Sequence, residues 1–163
     1  MLLKPIASRV SVVGLSGSEH QLDVPTIADQ VPNCGPVGGI ASALAESRAE
    51  WTLILACDMP YVGADFLLFL RDRASSAGPE IQAVVPESSR GLEPLCAIYR
   101  KSAAPVFEAA LAAKKLKLTS LVAALRLDRI LESEWRPFSL NGKLFESINH
   151  PEDLVIAREA LER

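Results

Sequence analysis

Between Glu50 and Asp58 the chain carries a run, Trp51 to Cys57, in which only Thr52 is polar. It is too short to span a domain as a helix and lacks the polar alternation of a half-exposed strand. It suits a strand covered on both faces, as in a parallel sheet. A strand of that kind requires helices above and below it, so the run selects a layered α/β domain.

The rest of the chain follows the same alternation. Short β-type runs fall at Val10–Val13, Asp23–Ile27, Ile81–Val85 and Leu95–Tyr99, with a short strand at Ile130–Leu131 and an extended segment at Leu144–Ile148. Helical patterns fall between them, at Ile40–Arg48, Ala64–Ala74, Ala103–Leu111 and Leu118–Leu125. In the second of these Phe66, Leu67 and Leu70 share one face, and Arg71, Asp72 and Arg73 the other. Pro151–Leu161 reads as a closing helix, with Pro151 suited to its first turn and Glu152 and Asp153 to its positive end. Pro32–Gly39, rich in Gly and Pro, reads as a loop.

Composition narrows the function. The chain has 163 residues, which favours one domain. Such a chain buries roughly 70% of its unfolded surface, enough for a core without staples. No apolar run reaches the roughly 18 residues of a membrane span. Net charge is −3, and the basic residues are spread along the chain, which argues against a nucleic-acid-coating surface. The three cysteines, Cys34, Cys57 and Cys96, are widely spaced without CxxC. They fit a reducing cytoplasm better than a disulfide framework or zinc site. Cys57 and Cys96 read as small core residues. Met1–Val13, broken by Pro5, Ser8 and Arg9, does not read as a secretion signal.

In open α/β sheets ligands bind beyond the carboxyl ends of the strands. The foremost candidate there is Ala56-Cys57-Asp58-Met59-Pro60, which sets a carboxylate at a strand end. A carboxylate so placed suits a hard cation such as Mg²⁺, which prefers oxygen ligands and keeps waters and phosphates in its shell. The same position also suits a turn cap. Gly35-Pro36-Val37-Gly38-Gly39 leads into a helix and allows close approach of backbone to a ligand or to the sheet. It is neither a Walker loop nor GxGxxG. Asp29 follows a strand and faces the same edge as Asp58, or simply makes a turn. Lys114, Lys115 and Lys117 form a basic cluster at a helix end, suited to an anionic substrate or to plain solvation. Glu93 opens a strand and either lines the cleft or begins an edge.

In order, these pieces resemble the molybdenum cofactor guanylyltransferase family, within the nucleotidyltransferases of the glycosyltransferase-A-like, Rossmann-like three-layer fold with a mostly parallel sheet. Asp29 with Gly35-Pro36-Val37-Gly38-Gly39 is similar to the family's acidic residue and GPLxG loop. Leu55-Ala56-Cys57-Asp58-Met59-Pro60 resembles its strand-end ACDMP, and Glu93–Arg100 its (Q/E)PLxALYR strand. Ile148-Asn149-His150-Pro151-Glu152-Asp153-Leu154 resembles its closing NxNTPEDL, with His150 in place of Thr and Ser147 in place of Asn.

The resemblance implies that the terminal phosphate of molybdopterin attacks the α-phosphate of GTP and releases pyrophosphate. It implies Asp58 as catalytic Mg²⁺ ligand, and Gly14, Asp29, Gly35, Pro36 and Gly39 around the nucleotide. It implies Lys114, Lys115, Lys117 and Asn149 toward the pterin phosphate, and molybdoenzyme-maturation proteins as partners, with no role for nucleic acid or membrane. The family also begins with a strand and a LAGGxSxRMGxxK loop. Nothing here matches it, and Met1–Pro5 resembles the helix that follows. Two other readings accompany this one: a non-catalytic nucleotide- or pterin-binding relative, and a transferase using CTP or a sugar-1-phosphate.

Overall fold

The computed structural model describes residues 3, 5–14, 24–139 and 142–148. Pro151–Leu161 and Asn149 lie outside the described residues. Fourteen elements follow one another: β1 (Val12–Val13), β2 (Thr26–Ile27), α1 (Gly35–Glu46), β3 (Trp51–Leu55), α2 (Ala64–Ser76), β4 (Ala83–Ser88), β5 (Gly91–Leu92) and β6 (Cys96–Arg100). A 3₁₀ turn at Lys101–Ala103 leads into α3 (Ala104–Ala112) and α4 (Leu118–Ala123); β7 (Leu127–Ile130), α5 (Glu132–Trp135) and a second 3₁₀ turn at Arg136–Phe138 complete the described chain.

The main sheet runs β3-β6-β4, with β5 and β7 also on β4. β6 is antiparallel to both β3 and β4, so β3 and β4 point the same way, and β7 is parallel to β4. The sheet is therefore mixed. Three strands share the direction the sequence reading requires, and β6 and β5 run against it. Apolar runs do not encode strand direction, so the reversal at β6 is set by the β4–β5 hairpin at Ser89-Arg90. β1 and β2 form a separate two-stranded parallel ribbon.

Two apolar layers sandwich the main sheet. On one face α2 packs Phe66, Leu67 and Leu70 against Val84, Cys96 and Ile98, with Ile6, Trp135, Leu144 and Phe145 alongside. Phe66 lies among Phe69, Phe138 and Phe145, with ring centroids 5.7 to 6.2 Å away. On the other face α1, α3 and α4 pack Ile40, Leu44, Phe107 and Val122 against Ala83, Val85, Ala97 and Tyr99. The alternation Ala83, Val85 to one side and Val84 to the other is the pleat of β4 written in the sequence.

Three sequence expectations are corrected. The glycine-rich segment is not a loop throughout: α1 begins at Gly35, five residues earlier than the pattern of helix formers indicates, with Pro36 in its first turn. The proline's fixed φ and missing N–H suit that place. The Trp51–Cys57 run stops being a strand at Leu55, and all of β3 is half-buried rather than covered on both faces. Leu144–Ile148 is not a strand: Leu144 and Phe145 make a turn that buries both side chains.

Candidate functional site

The parallel strands β3, β4 and β7 all end at one edge of the sheet. Beyond β3 the chain turns at Ala56, whose N–H donates to Leu95 O at 2.8 Å, and then presents Asp58. The backbone carbonyl of Asp58 accepts the N–H of Ile148 at 2.8 Å. Two segments far apart in sequence, the strand end and the closing segment, are thus joined at this point. Among the described residues no hydrogen bond or ion pair engages the Asp58 carboxylate, which is half-exposed. Cys57 is exposed beside it and is not a core residue, because the strand ends before it.

The Glu93 segment comes to the same edge. Glu93 is 9% exposed. Its Oε1 accepts the Ser88 hydroxyl at 2.6 Å and Arg90 Nη2 at 3.4 Å. Arg90 Nη2 also donates to Phe145 O at 2.7 Å, which ties the β4–β5 hairpin to the closing segment. The Tyr99 hydroxyl, inside the core, donates to Pro94 O at 2.7 Å and fixes the turn from below. Burial pushes the Tyr99 phenol and the Cys96 thiol far above their ordinary values; the neighbouring Glu93 adds to the shift at Cys96. Both stay neutral and structural. Arg90, Ser88 and Trp135 are missing from the sequence reading. The Ser89-Arg90-Gly91 hairpin turn was the available signal for the first two.

The candidate nucleotide side sits on β1, β2 and α1. Gly14 closes β1 with its N–H donating to Ile27 O at 3.1 Å. Its φ is +91°, in the left-handed region, and a Cβ there would lie 3.6 Å from Asp29 Oδ2. Gly14 and Asp29 are therefore neighbours. The loop after Asp29 is fastened to the helix, since the buried Ser42 hydroxyl accepts the Gln30 N–H at 3.0 Å. At Gly38 an added Cβ would stand 3.0 Å from Cys34 Cβ and 3.3 Å from Val31 O, so packing accounts for that glycine. Gly35 (φ +54°) faces open space, and Gly39 sits against Val13. No side chain caps the start of α1, and its first turn holds no acidic residue. The helix thus presents free N–H groups at the edge that carries Gly14 and Asp29.

Lys114, Lys115 and Lys117 are all exposed and end α3, on the face of the sheet opposite Trp135 and Phe145. Among the described residues no three His, Cys, Asp or Glu side chains gather in a metal-binding group. A single carboxylate at Asp58 fits a Mg²⁺ ion that draws its other oxygens from water and phosphate, and does not fit an all-protein cage. Among the described residues no helix is long and apolar enough to cross a membrane.

Residues 1–130 match the family model described as MobA-like NTP transferase domain. A probable molybdenum cofactor guanylyltransferase from Methanothermobacter thermautotrophicus is 33% identical over 138 residues, covering 80% of this chain and 64% of that protein. A protein of the same description from Natronomonas pharaonis is 37% identical over 141 residues, covering 84% and 66%. The crystal structure of molybdopterin-guanine dinucleotide biosynthesis protein A from Archaeoglobus fulgidus matches with a TM-score of 0.73 at 28% identity, over 86% of this chain and 70% of that one. The chain thus spans about two thirds of the length of these relatives. With its mixed sheet packed between two apolar layers and Asp58 just beyond β3, the chain belongs to the MobA-like NTP transferase family.

Proposed function

We propose that this chain forms the metal-binding part of a nucleotidyltransferase that moves GMP from GTP to molybdopterin. The observation that carries the reading is Asp58. Its backbone carbonyl accepts the Ile148 N–H, and among the described residues no hydrogen bond or ion pair engages its carboxylate. A carboxylate held still and unspent is what a Mg²⁺–triphosphate needs, because transfer at phosphorus depends on positioning and on neutralising developing charge. The relatives' descriptions as molybdenum cofactor guanylyltransferases support the choice of GTP and the pterin. When bound, Mg²⁺ supplies the positive charge that draws electrons from the α-phosphate. Gly14, Asp29, Gly35, Pro36 and Gly39 hold the nucleotide in this reading. Lys114, Lys115 and Lys117 are offered to the pterin phosphate, and Asn149 belongs to the same set by sequence.

The test titrates the chain with GTP, CTP and ATP in the presence of Mg²⁺ and measures pyrophosphate release with molybdopterin as acceptor. GTP should bind best, since paired hydrogen bonds to guanine are left unmet by a wrong base. Asp58→Asn should lower turnover on the order of a hundredfold. Equal turnover in Asp58→Asn, or a preference for CTP, would reject the reading.

A further inference from the structure

Asp58 is supported from two sides, and the two supports meet. On one side the Ala56 N–H donates to Leu95 O at 2.8 Å as the chain leaves β3. On the other the Asp58 carbonyl accepts the Ile148 N–H at 2.8 Å. Leu95 follows Glu93 by two residues, and Ile148 follows Phe145 by three. Arg90 joins those two segments, since its Nη2 donates to Phe145 O at 2.7 Å and to Glu93 Oε1 at 3.4 Å. The path from Asp58 through Ile148, Phe145, Arg90, Glu93, Leu95 and Ala56 returns to Asp58 and is a closed ring of hydrogen bonds and short chain segments.

Glu93 is the fixed point of that ring. Its N–H donates to Pro86 O at 2.8 Å, and its carbonyl accepts the Cys96 N–H at 3.1 Å. Its carboxylate accepts the Ser88 hydroxyl at 2.6 Å, and the same hydroxyl accepts the Arg90 N–H at 3.1 Å. A carboxylate fastened this way does not follow its neighbours; the guanidinium comes to it. The Arg90 side chain is 60% exposed, so packing does little to hold it, and the Glu93 charge does. An exposed ion pair adds little to stability, and ordering a long side chain costs entropy. The effect of the pair therefore lies in direction. It delivers a charged donor to one chosen backbone carbonyl, and such a bond is stronger than a neutral one.

The carbonyl chosen is the one that orients the closing segment. Leu144 and Phe145 are 0% and 3% exposed, and the Phe145 ring packs edge-on against Trp135 and Phe66. Burial fixes those side chains and leaves the following peptide planes free to rotate. They are set by the Arg90 bond to Phe145 O, by the Glu146 N–H to Lys143 O at 3.0 Å, and by the Ile148 N–H to Asp58 O. Loss of the first lets the plane after Phe145 turn, and the Ile148 N–H moves with it.

We infer that Arg90, held by Glu93, is a positioning residue for Asp58 and acts on it through the closing segment. This rests on the reading of Asp58 as a metal ligand and extends it to the residues that direct the carboxylate. Partners of a metal ligand outside the coordination shell typically change metal affinity by ten- to a hundredfold.

The experiment uses the full chain labelled with ¹⁵N, with Mn²⁺ as a paramagnetic probe. Without metal, Arg90→Gln should move the amide signals of Ile148 and Asp58 and leave those of Ala83 to Val85 in place. With Mn²⁺, broadening at Asp58 should need about tenfold more metal than in the parent chain. Glu93→Gln, which keeps Arg90 and removes the charge that holds it, should act in the same direction. Arg90→Lys should restore most of both readouts, because one nitrogen makes both bonds and an ammonium can donate twice. Val122→Ala, in the core on the opposite face of the sheet, should lower the urea midpoint and leave the Mn²⁺ response at Asp58 unchanged. Four results would overturn the inference. The first is unmoved Ile148 and Asp58 amides in Arg90→Gln. The second is a parent-like Mn²⁺ response in Arg90→Gln where Asp58→Asn abolishes it. The third is a parent-like Glu93→Gln beside a defective Arg90→Gln, which would make Arg90 a direct charge on the ligand. The fourth is an equal loss in Val122→Ala, which would reduce the effect to general loosening. If Asp58→Asn leaves the Mn²⁺ broadening unchanged, the metal-ligand reading fails, and the amide signals alone decide whether Arg90 sets Asp58.

Discussion

β4 and β3 are both apolar strands pointing the same way, yet the chain treats them differently. Ala83, Val84 and Val85 are 0% exposed, bonded on one side by β6 and on the other by β7. Trp51–Leu55 is at least as apolar and remains half-buried, with β6 on one side alone among the described residues. Composition makes a segment able to be central; its neighbours decide whether it is. The deepest burial lies in β4 and β6, and Asp58 follows the half-buried β3.

Unfolding measurements can break that comparison. Phe66→Ala, at the centre of the aromatic cluster, should cost about 3–5 kcal/mol, read by urea denaturation. Tyr99→Phe should cost about 1–3 kcal/mol, because Pro94 O is left buried without its donor. Leu53→Ala should cost less than a fully buried leucine, about 1–2 kcal/mol. If Leu53→Ala equals Phe66→Ala, the two regions are one cooperative core and the contrast is wrong.

Three smaller effects sharpen it. Cys96 and Tyr99 have pKa values raised by burial above the ordinary 9.0 and 10.0, so below those values they are neutral in both folded and unfolded chains. Above them only the unfolded chain releases the protons. Stability is therefore fully present below about pH 9 and falls as pH rises further, and Tyr99→Phe should flatten the decline. Thiol labelling at pH 8 should modify the exposed Cys57 first and reach Cys96 only on unfolding. Smallest of all, Asp58→Asn should shift stability by less than about 0.5 kcal/mol, since among the described residues its carboxylate makes no hydrogen bond or ion pair.

Much of this was legible in the residues. The helical face of α2 and the strand that leads toward Asp58 follow from period and punctuation, whereas Gly14 entered only through the family resemblance. What escaped had physical reasons. Gly35 to Gly39 read as a loop because helix propensity counts against glycine, while close packing at Gly38 and the fit of Pro36 to a first turn override it. Trp135 gave no periodic signal, because α5 is a single turn. It is held by its indole N–H to Glu87 O at 3.0 Å and by an edge-on contact with Phe145. The direction of β6 depends on a hairpin that an apolar count cannot see.

The bond from Ile148 N–H to Asp58 O is one ordinary hydrogen bond, but it closes a very long loop. It makes the late part of the polypeptide a brace for a residue laid down in the first half. Damage near Ile148 should therefore be felt at Asp58 while the helices stay intact, so that a protein could keep its shape and lose its aim.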